Sequence, residues 1–156
     1  PGVKADHMLI LEGEQGVRKS TALKILAGED WFTDELSGLG SKDAAIHMQG
    51  VWIVEIAELD AIGRAEVSRI KAFLTRTTDR FRPPYGRHTV EIKRQCVFAG
   101  TVNPDTYLRD ETGNRRFWPI RCGTIDINAL ARDRDQIWAE AVARFKAGAI
   151  WWLEDK

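Results

Sequence analysis

The sequence predicts an α/β fold in which a mainly parallel central sheet is flanked by helices. Three observations predict it. A short apolar run from His7 to Glu12 meets Gly13, and Ser20 to Ala27 follows with apolar residues at helical spacing. Two nearly continuous apolar runs, Val51 to Ala57 and Gln95 to Asn103, have the character of central strands buried on both faces. Segments of helical period separate and follow these strands, and such alternation implies parallel crossover connections.

Each element has its own justification. The first strand, glycine-bearing loop and helix occupy 7–27, with Gly28 as the stop. Residues 31–40 mix aromatics, acids and glycines without a period, and Lys42 to Gln49 is expected to form one short helix ending at Gly50. Glu66 to Thr77 carries Val67, Ile70, Ala72, Phe73 and Leu74 among basic residues, an amphipathic helix pattern. Arg80 to Arg94 places Pro83-Pro84-Tyr85-Gly86 between two alternating stretches, which predicts a hairpin or protruding loop. Arg116 to Cys122 is a further strand whose Pro119 suits a sheet edge. From Asp126 to Lys146 apolar residues recur at helical spacing, so a C-terminal helix is expected.

At 156 residues the chain fits one domain, 1–156, expected to be cut from a longer protein because it begins at Pro1-Gly2 without an initiating Met. Its 23 basic and 23 acidic residues balance, so any basic nucleic-acid surface must be local. No apolar run approaches the roughly 20 residues that span a bilayer, and no membrane partner is expected. Cys96 and Cys122 fit neither a disulfide framework nor a zinc pattern, and are expected as buried free thiols in a reducing cytoplasm. His7, His47 and His88 lack metal-ligand spacing. Most of the six tryptophans are expected to fill the core, with Trp151 and Trp152 left between packing and an exposed contact patch.

Gly13-Glu14-Gln15-Gly16-Val17-Arg18-Lys19-Ser20 matches the phosphate-loop pattern G-x-x-x-x-G-K-[ST] at every fixed position but one, where Arg18 replaces glycine. The chemistry requires backbone N–H groups cupped around phosphates, a lysine on the outer phosphates and a hydroxyl on Mg²⁺, all at a helix start. Gly13, Gly16, Lys19 and Ser20 can supply these, with Thr21 beside them, so ATP and Mg²⁺ are the expected ligands. A Cβ at Arg18 resists the backbone angle glycine permits, unless Arg18 turns outward and Gly16 takes the tight bend. The competing interpretation is a strand-to-helix turn with glycines for ordinary geometry.

A triphosphate site also needs carboxylates at the end of a neighbouring strand, for the metal and for the attacking water. Glu55, near the end of an apolar strand, and Glu58, three residues on, are the candidates, although Glu58 could also be a helix cap or a solvated loop residue. Asn103 ends the next apolar strand, where an amide can orient the water, and Asn before Pro is equally a turn starter. Arg115 and Arg116 place two guanidinium groups at a strand start; they suit an arginine finger from a neighbouring subunit, or a surface pair answering Asp110 and Glu111.

Taken together, Leu11 to Thr21, Trp52 to Asp60, Asp79 to Gly86, Phe98 to Asn103, Gly113 to Trp118 and Trp138 to Ala141 resemble the virulence-associated E family. These are P-loop ATPases of phage and plasmid replication modules, related to superfamily 3 helicases and the AAA+ fold. The resemblance implies that Lys19 and Ser20 bind nucleotide and metal, that Glu55 and Glu58 are the Walker B acids, that Asn103 is a sensor and that Arg115 or Arg116 is the finger. It also implies a homo-oligomeric ring with nucleotide between subunits, and a hairpin facing single-stranded or forked DNA. Here the hairpin carries Arg80, Arg82, Tyr85, Arg87, His88, Lys93 and Arg94, a basic cluster able to hold phosphates and stack on a base, or else a solvated basic loop. A degenerate, non-hydrolysing assembly module is the alternative function, with a small-molecule kinase third.

Overall fold

A computed structural model describes residues 5–36, 38–57, 59, 64–103 and 116–150. Glu58, Arg115, Trp151 and Trp152 lie outside the described residues. In chain order the elements are β1 (Met8–Glu12), α1 (Lys19–Ala27), β2 (Phe32–Thr33), α2 (Lys42–His47), β3 (Ile53–Ile56), α3 (Arg64–Leu74), β4 (Thr78–Phe81), β5 (Val90–Lys93), β6 (Val97–Val102), β7 (Phe117–Arg121) and α4 (Ile127–Lys146). The central sheet has the order β2-β3-β6-β1-β7. Every pairing in it is parallel.

The period-2 alternation of each strand divides the core into two layers. Met8, Ile10, Val54, Phe98 and Val102 face Ile70, Phe73 and Leu74 of α3. On the other face Leu11, Ile53 and Ala99 pack against Leu23 and Ala27 of α1. Gly100 makes the first layer possible: a Cβ there would lie 2.3 Å from Leu59 Cδ1, 2.7 Å from Met8 Cε and 2.8 Å from Ile10 Cδ1. α4 lies on α1 rather than on the sheet. Trp138 Nε1 donates to Leu26 O at 2.8 Å, and Arg134 Nη2 donates to Ala27 O at 3.0 Å, closing the carbonyl end of α1.

The expected order of elements is present, with three differences. The unpatterned segment 31–40 contains β2, a two-residue edge strand too short to produce a period. The third helix stops at Leu74 rather than Thr77, because Thr78 already pairs with Lys93 in the hairpin. Among the described tryptophans none is fully buried: Trp31 is 51% exposed, and only Trp52 packs against a core layer. Trp52 also packs on Trp138, and Trp118 stacks on His7, both at half-buried positions. Cys96 is a buried free thiol, pushed up to about 11 by burial, whereas Cys122 is only half-buried. Among the described residues no helix is long and apolar enough to cross a membrane.

Candidate functional site

β1 has β6 on one side and β7 on the other, while α1 and α3 cover opposite faces. This puts the carboxyl end of β1 at the point where the connections diverge, the place an open parallel sheet offers to ligands. The loop that leaves β1 there is pinned at its root from both sides. Gly13 N donates to Val102 O at 3.2 Å, and Cys122 N donates to Glu12 O at 2.7 Å. Two glycines serve the loop in different ways. At Gly13 the need is space, since a Cβ would lie 2.8 Å from Cys122 O. At Gly16 the need is conformational, because φ is +88° with nothing within 4 Å of a Cβ.

The replaced glycine position keeps its backbone demand. Arg18 is the N-cap of α1 with φ 68° and ψ 34°, in the left-handed region, and its side chain is exposed. Gly16 therefore does not take the bend alone; both residues have positive φ. The left-handed conformation costs a non-glycine residue about 1 kcal/mol. No side chain caps α1, so its first-turn N–H groups remain available to an anion. Lys19 is buried and its Nζ donates to Gly13 O at 2.6 Å and Glu14 O at 2.9 Å, which folds the ammonium over its own loop.

Next to this loop lies a buried carboxylate. Glu55 is 1% exposed, and its Oε1 accepts from Ser20 Oγ at 2.6 Å and from Thr101 Oγ1 at 2.8 Å. Its Oε2 has no hydrogen-bond partner. A buried carboxylate oxygen without a donor is costly unless a cation or water satisfies it. Ser20 can donate its proton to Glu55 and still offer a lone pair, so Ser20 and Glu55 together fit a hard, oxygen-preferring divalent ion. The donor set suits Mg²⁺.

A cleft of about 650 Å³ opens over the loop, lined by Gln15, Gly16, Arg18, Lys19, Ser20, Thr21, Ala57, Thr101, Val102 and Asn103. Asn103 thus faces the cleft that Lys19 and Ser20 line, with Glu55 behind its wall. Thr101 was not singled out from sequence; the signal was a hydroxyl inside an otherwise apolar strand.

Two groups of predicted residues are not brought to this cleft. Arg116 precedes Phe117, which pairs with Met8 at the start of β1. Five strand residues at ~3.3 Å each put it ~17 Å from the loop, at the opposite end of the sheet. The basic hairpin β4–β5 is a separate projection. Arg82, Arg87 and Lys93 are exposed on it, and Tyr85 at its tip is 106% exposed with φ 62°. Arg94 departs from the expectation that it contacts DNA. Its side chain is 6% exposed; Nε and Nη2 donate to Asp79 Oδ2 and Oδ1 at 3.0 and 2.6 Å, and Nη1 donates to Phe73 O at 2.6 Å. The guanidinium also lies 4.3 Å from the Phe73 ring centroid and 5.3 Å from that of Phe98, so no face of it remains for a phosphate.

A family model described as the virulence-associated protein E-like domain matches residues 1–156. Among curated proteins none matches the chain. Solved structures similar to it include two of one region. The A form apo structure of the NrS-1 C-terminal region is 20% identical, with a TM-score of 0.60, covering 85% of this chain and 35% of that one. A second A form apo structure of that region is 19% identical, with a TM-score of 0.57, covering 85% and 34%. At such identity the likeness is one of fold. The chain spans about a third of the length of these neighbours.

Proposed function

The chain belongs to the virulence-associated protein E-like family, and we propose that it binds Mg²⁺-ATP in the cleft above Gly13 to Ser20 and hydrolyses it, driving a helicase-like step of DNA replication. The observation that carries this is the bond between Ser20 and Glu55 beside a carboxylate oxygen left without a donor, next to a cleft lined by Gly16, Arg18, Lys19 and Ser20 at the uncapped start of α1.

In this reading the N–H groups of Gly16 to Ser20 cradle the phosphates, and Lys19 exchanges its two loop carbonyls for outer phosphate oxygens. Ser20 and Glu55 would hold the metal, which when bound would neutralise charge on the phosphates. Asn103, at the tip of β6, orients the attacking water by hydrogen bonding. Glu58, following the β3 strand, takes its proton. The finger is Arg115 or Arg116 of an adjoining subunit in a ring, and the exposed hairpin residues Arg82, Tyr85, Arg87 and Lys93 meet single-stranded or forked DNA.

Calorimetric titration of a non-hydrolysable ATP analogue with Mg²⁺ into wild type and Lys19→Ala tests the site without requiring the finger. Saturable binding by wild type that drops at least about 10-fold in the variant is expected, since a charge-assisted phosphate contact contributes about 1.5–3 kcal/mol. Equal binding by both proteins would refute the assignment of the loop. A second reading, a non-hydrolysing assembly module, is favoured by the strained Arg18 and by Lys19 bonded to its own loop; it predicts no ATP turnover even with DNA present.

A further inference from the structure

β2 ends beside the metal-binding pair, and its next residue is Asp34. In the parallel pairing of β2 with β3, Phe32 lies opposite Ile53 and Thr33 opposite Val54. One further step of that register sets Asp34 opposite Glu55. Phe32 and Ile53 belong to the layer packed on α1, and alternation returns positions 34 and 55 to that same face, where Ser20 begins the helix. Adjacent strands lie only ~4.8 Å apart.

The cavities agree with this placement. Asp34 and Glu55 line one cavity of about 420 Å³, together with Arg69 of α3. Asp34, Ser20 and Thr21 line another, of about 660 Å³. Both cations lining the larger cavity are engaged elsewhere: Lys24 pairs with Glu29 at 3.1 Å, and Arg134 bonds the end of α1 and Asp135. Among the described residues no group of three His, Cys, Asp or Glu side chains could hold a metal ion. An ion held by Ser20, Glu55 and nucleotide phosphates would therefore keep water in its other positions, as Mg²⁺ usually does, and those waters would be strong donors that need acceptors.

We propose that Asp34 is a positioning residue that accepts hydrogen bonds from water on the Mg²⁺ held by Ser20 and Glu55. The assignment rests on the nucleotide reading above, and the test separates the two. Binding of a non-hydrolysable ATP analogue is measured across a Mg²⁺ titration and again in EDTA, for wild type, Asp34→Asn and Asp34→Glu, with thermal melting as a check on folding. Asp34→Asn is expected to raise the half-saturating Mg²⁺ concentration about 10-fold, at the low end of what groups supporting metal ligands contribute. Its metal-free nucleotide affinity stays at the wild-type value, and Asp34→Glu recovers much of the Mg²⁺ dependence. An unchanged Mg²⁺ dependence in Asp34→Asn, or an equal loss with and without Mg²⁺, overturns the role of Asp34 while leaving the nucleotide site standing. Absence of nucleotide binding by wild type under every condition overturns both.

Discussion

Two arginines, eighteen and ninety-four, illustrate how one residue type takes opposite positions in this fold. Arg18 is exposed and strained, with a left-handed backbone at a step where glycine has no penalty; the cost of about 1 kcal/mol is small beside the total stability of a domain. Arg94 is enclosed. Its bidentate bond to Asp79, its bond to Phe73 O and the two phenylalanine rings around it make it the rivet between the hairpin, α3 and β6. Removing one partner of such a pair leaves the other charge buried alone, so Arg94→Ala is expected to cost about 3–5 kcal/mol. In a domain of this size that corresponds to a melting temperature lower by roughly 10 °C. Arg94→Lys should recover only part of the loss, because a single ammonium cannot reproduce the fork that reaches Asp79 and Phe73 O together. Thermal denaturation measures both, and a melting temperature within a degree or two of wild type for Arg94→Ala would contradict the role. The residue was legible in sequence as a basic group near a hairpin. Its direction was not, because Asp79 lies fifteen positions earlier and meets it only once β4 and β5 pair.

At the scale of elements, the hairpin differs in packing along its length. The base is locked by Asp79 and Arg94, whereas the tip is held open: Arg82 Nε donates to Gly86 O at 2.7 Å and Gly86 N donates to Pro83 O at 3.0 Å. These bonds present Tyr85 fully to solvent with a positive φ, an arrangement that buries nothing and carries backbone strain. Backbone strain of this kind is common at sites that contact a ligand. If that contact is stacking on a DNA base, Tyr85→Ala should weaken single-strand binding by about 1–3 kcal/mol, roughly 5- to 150-fold, without altering its salt dependence. The triple change Arg82→Ala, Arg87→Ala and Lys93→Ala should instead reduce the slope of log affinity against log salt by about 2, since each phosphate contact on a single strand contributes about 0.7. Fluorescence anisotropy of a labelled oligonucleotide over a salt series distinguishes the two, and a slope unchanged by the triple variant would remove the basic tip from the interface. Proline, glycine and alternating residues made this element legible before its structure was known. The helical period did the same for α4, and the structure adds a cap: the Asp126 side chain accepts from Ala129 N.

Across the whole molecule, the phosphate-loop pattern, the strand bearing Glu55 and the strand ending at Asn103 were legible because each is a local pattern, and parallel pairing then brings their carboxyl ends together. The strand order was not, since nothing in the local sequence says that β6 inserts between β1 and β3. That insertion places Thr101 against Glu55, and the two-residue β2, which has no period, leads Asp34 to the cavity that Glu55 also lines. The same parallel geometry constrains the arginines. Arg116 enters β7 at the amino end of the sheet, ~17 Å from the phosphate loop at the carboxyl end, so it cannot complete the site of its own chain. If it acts as a finger, it acts on a neighbour. Lys19→Ala and Arg116→Ala should then each abolish DNA-stimulated ATP turnover while Arg116→Ala still binds nucleotide. An equimolar mixture of the two inactive proteins should regain up to about a quarter of wild-type turnover, the share of interfaces pairing an intact loop with an intact finger in a randomly mixed ring. Recovery in the mixture establishes a shared site and a head-to-tail assembly. No recovery, under conditions where light scattering shows that the two variants co-assemble, assigns Arg116 to something other than the reaction and leaves the finger to be sought elsewhere in the chain.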